Sequence, residues 1–237
     1  MKSKHNRILS LLPVAALVVA GSAQASLIIS AAEFHGSGVH FGVSNTDLVN
    51  TGSSALTGTT SSQATPNWGT TVNGAHDGIH TQNFGTYSGQ YAVNSGTTLT
   101  FDLGGNPAGY DISSIISLSG YADPTDRISQ KYNVEYSLVG SAAWNALAGD
   151  ITGATVNRAW VKGGTENYVG ELQVTISDMS LTGVDGLRFT FYNYAAVAIY
   201  QEIDVTGTLT AIPEPGSLLA LGCLLGSGVC LRSRRRR

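Results

Sequence analysis

The chain has 237 residues, a formal charge of −3, 12% charged and 42% hydrophobic residues, 29 glycines and two cysteines. That length suits one ordinary domain with appendages. The charge balance excludes a basic nucleic-acid binder, which needs clustered Lys and Arg to displace counterions from phosphates. Two cysteines cannot staple a scaffold of this size.

In chain order, Met1 to Ala25 starts with Lys2, Lys4 and Arg7, continues in an apolar run from Ile8 to Ala20 and closes on Ala23-Gln24-Ala25. Basic flank, short apolar run and small-x-small box make residues 1–25 a secretory signal peptide, with signal peptidase as the implied partner. Residues 26–69 form a front end. Leu27-Ile28-Ile29 offers a first strand, and Thr51 to Pro66 is rich enough in Ser, Thr and Gly to be either a flexible linker or a long surface loop.

Residues 70–210 carry the main domain. Apolar residues recur with period two at Leu99, Phe101 and Leu103, at Tyr132, Val134, Tyr136 and Leu138, at Leu172, Val174 and Ile176, at Leu187, Phe189 and Phe191, and at Ile203 and Val205. Successive side chains of a strand point to opposite faces, so each run can bury one face and wet the other. Gly104-Gly105-Asn106-Pro107, Asp123-Pro124, Gly163-Gly164 and Asp185-Gly186 supply turn chemistry between them. No segment offers a long 3.6-residue period with caps. The expected fold is an all-β sandwich with short strands and long loops.

Residues 211–237 form a tail: Pro213-Glu214-Pro215, the apolar stretch Ser217 to Leu231, and Arg232, Arg234, Arg235, Arg236 and Arg237. As a helix the apolar stretch would reach about 22 Å at 1.5 Å per residue, a short transmembrane helix against a hydrocarbon core of ~30 Å. The arginines would stay cytoplasmic and leave the body outside. With both ends set apart, residues 26–212 hold five Lys and Arg against 15 Asp and Glu, a net charge of −10, and no cysteine. Such a surface favours cations over nucleic acid or anionic membranes.

The chemistry-bearing motifs are few. His76 and His80 are spaced to share a helix face as zinc ligands, but Asp77-Gly78 between them makes a turn instead. The body has no Gly-x-Ser-x-Gly elbow, no cysteine nucleophile and no Gly-Lys-Ser/Thr phosphate loop, so no enzyme activity is expected. Sugar binding needs an aromatic platform with polar groups beside it. Tyr121, Asp123, Asp126 and Arg127 in one loop, and Trp160 with Tyr168, are candidates, and Tyr192 with Tyr194 offers further rings.

Two resemblances add to this reading. Pro213-Glu214-Pro215 followed by an apolar helix and an arginine cluster resembles the PEP-CTERM sorting signal of Gram-negative bacteria. It implies export, transient inner-membrane anchoring, cleavage by an exosortase, and a destination at the cell surface or outside the cell. In the body, Asn73-Gly74-Ala75-His76-Asp77-Gly78, the strand Thr98 to Asp102 with its exit Leu103-Gly104, Tyr132-Asn133-Val134-Glu135-Tyr136-Ser137, Ala143-Trp144-Asn145-Ala146-Leu147, and Glu202-Ile203-Asp204-Val205-Thr206-Gly207 follow one another in the order found in discoidin-like, galactose-binding-like jelly rolls. That resemblance implies a non-enzymatic module for extracellular polysaccharide or glycan, and a structural Ca2+ where the Asp-Gly turn meets a glutamate of the last strand, at Asp77 and Glu202. The chain lacks the cysteine pair of many members. A structural matrix protein without a specific ligand and, further off, a secreted glycan-active enzyme are the alternatives.

Overall fold

A computed structural model describes residues 27–35, 41–80, 89–121, 130–147, 170–192 and 197–212. The signal peptide and the tail with Pro213, Glu214 and Pro215 lie outside the described residues. Among the described residues, no helix is long and apolar enough to cross a membrane.

The described residues form an antiparallel β-sandwich of ten strands: β1 (Ile28–His35), β2 (Gly58–Ser61), β3 (Tyr91–Asn94), β4 (Thr98–Asp102), β5 (Tyr110–Tyr121), β6 (Tyr132–Leu138), β7 (Asn145–Ala146), β8 (Gly170–Ser177), β9 (Leu181–Phe191) and β10 (Val197–Leu209). Their ladders run β1-β8-β5-β10-β3 in one layer and β2-β4-β9-β6-β7 in the other. The layers join where β5 meets β9, at Tyr110 opposite Val184 and Ile112 opposite Leu181.

The period-two runs predict which side chains face inward. Leu99 and Phe101, Val134, Leu172, Val174 and Ile176, Leu187, Phe189 and Phe191, and Ile203 and Val205 are all buried in one core. Aromatic rings bridge the layers: Phe191 lies 4.6 Å from Tyr200, and Tyr132 lies 6.2 Å from Tyr200. The serines that interrupt β5 have a structural explanation. Ser117 and Ser119 face inward and are satisfied by Gln130, whose amide donates to Ser119 Oγ at 3.1 Å and to Leu172 O at 2.8 Å while accepting from Ser117 Oγ at 2.5 Å. Ser117 Oγ also meets the Tyr132 hydroxyl at 2.7 Å. Each buried polar atom of this network has a partner, which the low-dielectric interior demands.

The front end belongs to the sandwich. β1 pairs along its length with β8, from Ile28 opposite Ser177 to His35 opposite Gly170. The Ser/Thr/Gly-rich stretch read as linker or loop contains β2, which pairs with β4, and Val49 and Ala55 sit in the core. Thr59 and Thr60 are β-branched and fit an edge strand that the surrounding Ser and Gly obscure in the sequence.

Candidate functional site

β10 supplies the site. After a bulge between Tyr200 and Glu202, Ile203 and Val205 point into the core, so Glu202 and Asp204 point to the other face. They are nonetheless buried, with Glu202 1% exposed, because the segments around residues 44–50 and 76–80 lie over them. Ser44 N–H donates to Asp204 Oδ2 at 3.0 Å, Leu48 N–H donates to Val205 O at 2.9 Å, and Val205 N–H donates to Asp47 Oδ1 at 3.2 Å. Gly78 N–H donates to Glu202 Oε2 at 3.1 Å.

Gly78 is required by this packing. Its φ of +70° suits glycine, and an added Cβ would lie 2.5 Å from Asn50 Nδ2. The turn is tied locally by Ile79 N–H donating to Asp77 Oδ1 at 2.9 Å, and Thr51 N–H donates to His76 O at 3.0 Å.

Four carboxyl groups thus adjoin, Glu202 lying within reach of the charges of Asp204, Asp77 and Asp47. Burial pushes Glu202 up to about 10, and the charges of Asp204, Asp77 and Asp47 push the same way against the Gly78 amide. Burial also lifts Asp204 to about 6, opposed by the Ser44 amide and reinforced by Asp47. Asp47 and Asp77 are raised by burial as well. Glu202 Oε1, Asp47 Oδ2 and Asp204 Oδ1 are buried atoms without a hydrogen-bond partner. Unpaired buried carboxylate oxygens are costly, and they are the donor chemistry of a hard cation. The residues therefore fit a calcium ion in donor type and burial. Among the described residues, no three His, Cys, Asp or Glu side chains converge on a single metal point. A cation here would take few carboxylates and complete its shell with backbone carbonyls and water, as calcium does.

The histidines are not paired ligands. His76 is buried with its Nδ1 2.8 Å from Val49 O and its ring edge-on to Phe101 at 5.1 Å, and burial pushes it down to about 4. His80 lies on the outer face of the first layer. Its Nδ1 is 2.9 Å from Phe41 O, and its Nε2 is 3.1 Å from Glu171 Oε1, both side chains being buried. Burial alone would lower His80, but Glu171, the Phe41 carbonyl and Gln201 together outweigh it and hold the imidazole above its ordinary range.

Of the residues expected from the sequence, Asp77 and Glu202 are thus brought together through the Gly78 turn. Asp123, Asp126, Arg127, Trp160 and Tyr168 lie outside the described residues. Tyr121 is the last residue of β5, opposite Gly170 at the start of β8. Sequence reasoning missed Asp47 and Asp204. Asp204 alternates with the core residues Ile203 and Val205 and reads as a wet-face residue. Its burial comes from a segment more than 150 residues away, as the Ser44 contact shows.

No family model matches the chain, and no curated protein sequence matches it. Solved structures are similar in outline. Chitosan-binding module 1 from a chitosanase/glucanase of Paenibacillus sp. IK-5 aligns with a TM-score of 0.40 at 15% identity, over 68% of this chain and 98% of that one. The family 32 CBM of NanJ from C. perfringens, in complex with galactose, aligns with a TM-score of 0.38 at 16% identity, over 62% of this chain and 92% of that one. The lectin domain of lectinolysin, complexed with Lewis B antigen, gives 0.38 at 16% identity, over 69% and 100%.

Proposed function

We propose that the protein is an exported, non-enzymatic binding module for extracellular polysaccharide or glycan, stabilised by one calcium ion. The observation that carries this reading is the docking of the Asp77-Gly78 turn onto buried Glu202. It is the meeting point at which the discoidin-like resemblance implies an ion, and orphaned carboxylate oxygens surround it. Asp77 and Glu202 would hold the ion, with Asp47 and Asp204 adding negative charge. Calcium there would act structurally, taking the place of the proton that burial keeps on Glu202. The resemblance assigns the glycan class, with Tyr121, Asp123, Asp126, Arg127, Trp160 and Tyr168 as the sequence's candidates for contact. The signal peptide and the PEP-CTERM-like tail support export, transient anchoring in the inner membrane and release by an exosortase to the surface.

Affinity electrophoresis of the secreted protein through gels containing neutral polysaccharides (galactan, glucomannan, hydroxyethyl cellulose) or acidic ones (alginate, polygalacturonate) tests the reading. Retardation by at least one, with a melting temperature that falls on chelation and returns with Ca2+, is the expected outcome. A folded protein that none of them retards is a matrix protein without a ligand. A melting curve indifferent to chelator removes the ion.

A further inference from the structure

β5 runs the height of the sandwich, from Tyr110 to Tyr121. At about 3.3 Å per residue its two ends lie on the order of 35 Å apart. At the Tyr110 end β10 finishes, Leu209 pairing with Tyr110, and β9 turns from the first layer into the second, Val184 also lying opposite Tyr110. A chain of backbone contacts closes this end. Val139 N–H donates to Gly183 O at 2.9 Å, Gly183 N–H to Thr210 Oγ1 at 3.1 Å, and Thr210 N–H to Gly109 O at 3.1 Å. Gly109 and Gly183 pack so closely that a Cβ on Gly109 would lie 2.6 Å from Gly183 C.

Apolar side chains nonetheless stand out from this closed end. Leu209 is 67% exposed, Ile212 62% and Val139 43%. Single exposed apolar residues are ordinary, but these three are carried by segments joined through Gly183 and Thr210. The carboxylates nearest to them are engaged: Asp111 accepts from Thr210 Oγ1 and Gly183 N–H, and Asp185 accepts from Ser137 Oγ. Asp102, at the end of β4, and Asp178, after β8, are exposed. The Lys and Arg among the described residues stand elsewhere, Lys131 before the start of β6 at the opposite end and Arg188 paired with Glu135 within the second layer. A contact made by this end is therefore apolar, without a cation to attract phosphate.

Only Pro213 to Gly216 separate Ile212 from the apolar stretch that begins at Ser217. Fully extended, that link reaches about 18 Å, against a headgroup layer of roughly 6 Å on each side of the hydrocarbon. With the apolar stretch in a bilayer, this end of the sandwich is held beside the lipid headgroups.

We infer that Val139, Leu209 and Ile212 seat this end of the sandwich in the headgroup–acyl boundary of the bilayer while the tail holds the chain there. Resting on the anchoring reading above, this gives the folded body a lipid contact of its own. A second copy fits the patch less well, because two bodies of charge −10 repel one another. The seat also orients the molecule: Tyr121, at the other end of β5, faces away from the membrane.

Reconstitution of residues 26–237, carrying Cys223→Ser and Cys230→Ser, into phosphatidylcholine vesicles tests this, since the body has no cysteine of its own. An environment-sensitive fluorophore is attached to Val139→Cys or Leu209→Cys at this end, or to Ser95→Cys in the exposed turn between β3 and β4 at the other. Brominated lipid is expected to quench most of the emission at 139 and 209 and to leave that at 95 unchanged. Adding Leu209→Ser and Ile212→Ser should free the label at 139 from most of that quenching, because the tether alone then remains. Labels at 139 and 209 that stay unquenched in a chain resistant to carbonate washing overturn the seat and leave the anchor standing. Blue-shifted emission without quenching overturns it as well and makes a second copy the occupant. Unchanged quenching at 139 in the serine variant shows proximity through the tether alone and also overturns the seat. A chain that carbonate strips from the vesicles removes the anchor, and this contact with it.

Discussion

His80 and Glu171 form a buried ion pair on the outer face of the first layer, and it fastens the loop that carries the Asp77-Gly78 turn to β8. Removing one partner of a buried pair is strongly destabilising, so His80→Gln should destabilise the fold by about 3 kcal/mol in urea or thermal denaturation at pH 7. The pair also predicts a pH dependence. The folded state holds the His80 pKa above the unfolded value, so the native protein binds the proton more tightly. Its contribution is full below the unfolded histidine range of about 6.5 and is lost as pH rises through the folded pKa. The melting temperature of wild type relative to His80→Gln should therefore show its largest advantage at pH 6 and a smaller one at pH 9. A difference that grows toward alkaline pH would mean that the imidazole is neutral in the native state.

At the scale of elements, the strands of the core were legible and the loops over them were not. Alternation at Leu99 and Phe101, or at Leu172, Val174 and Ile176, is a local signal, because a strand's two faces differ within a few residues. The carboxyl cluster is non-local: Asp47 meets the Asp204 segment from more than 150 residues away, and neither aspartate has a distinctive neighbourhood in sequence. The docking of the Asp77-Gly78 turn on Glu202 is foreshadowed in the sequence only by the order of motifs. β2 was hidden by its composition, since its pairing with β4 decides its conformation more than the propensity of Gly58 to Ser61 does. The element on which most depends is the 76–80 turn, which joins Glu202 to the Asn50 region and to Glu171. Gly78→Ala puts a Cβ at φ +70° and against Asn50, so the turn must lift from Glu202. The variant should lose most of the Ca2+-dependent rise in melting temperature while keeping its far-UV β signature. An unchanged response to Ca2+ would show that the turn does not complete the site.

For the molecule as a whole, the consequence is that the sandwich cannot be cut at residue 70. The sequence suggests a domain of residues 70–210 behind a loose front end. In the folded chain, however, β1 covers the edge of β8, β2 covers the edge of β4, and Val49 and Ala55 fill core positions. Removing residues 26–69 would expose two long strand edges, which invite pairing with other copies. It would also empty core volume, at roughly 2 kcal/mol or more for a deleted side chain of valine size. Asp204 and Val205 would lose their contacts with Ser44, Asp47 and Leu48, so the carboxyl cluster on β10 would open to water. A chain of residues 70–212 is therefore expected to be insoluble or to show no cooperative melting, whereas residues 26–212 should melt in one transition sharpened by Ca2+. Analytical ultracentrifugation and calorimetry of the two chains side by side check this. A soluble, cooperatively melting 70–212 fragment would show that β1, β2 and the 44–50 segment only decorate a sandwich complete without them.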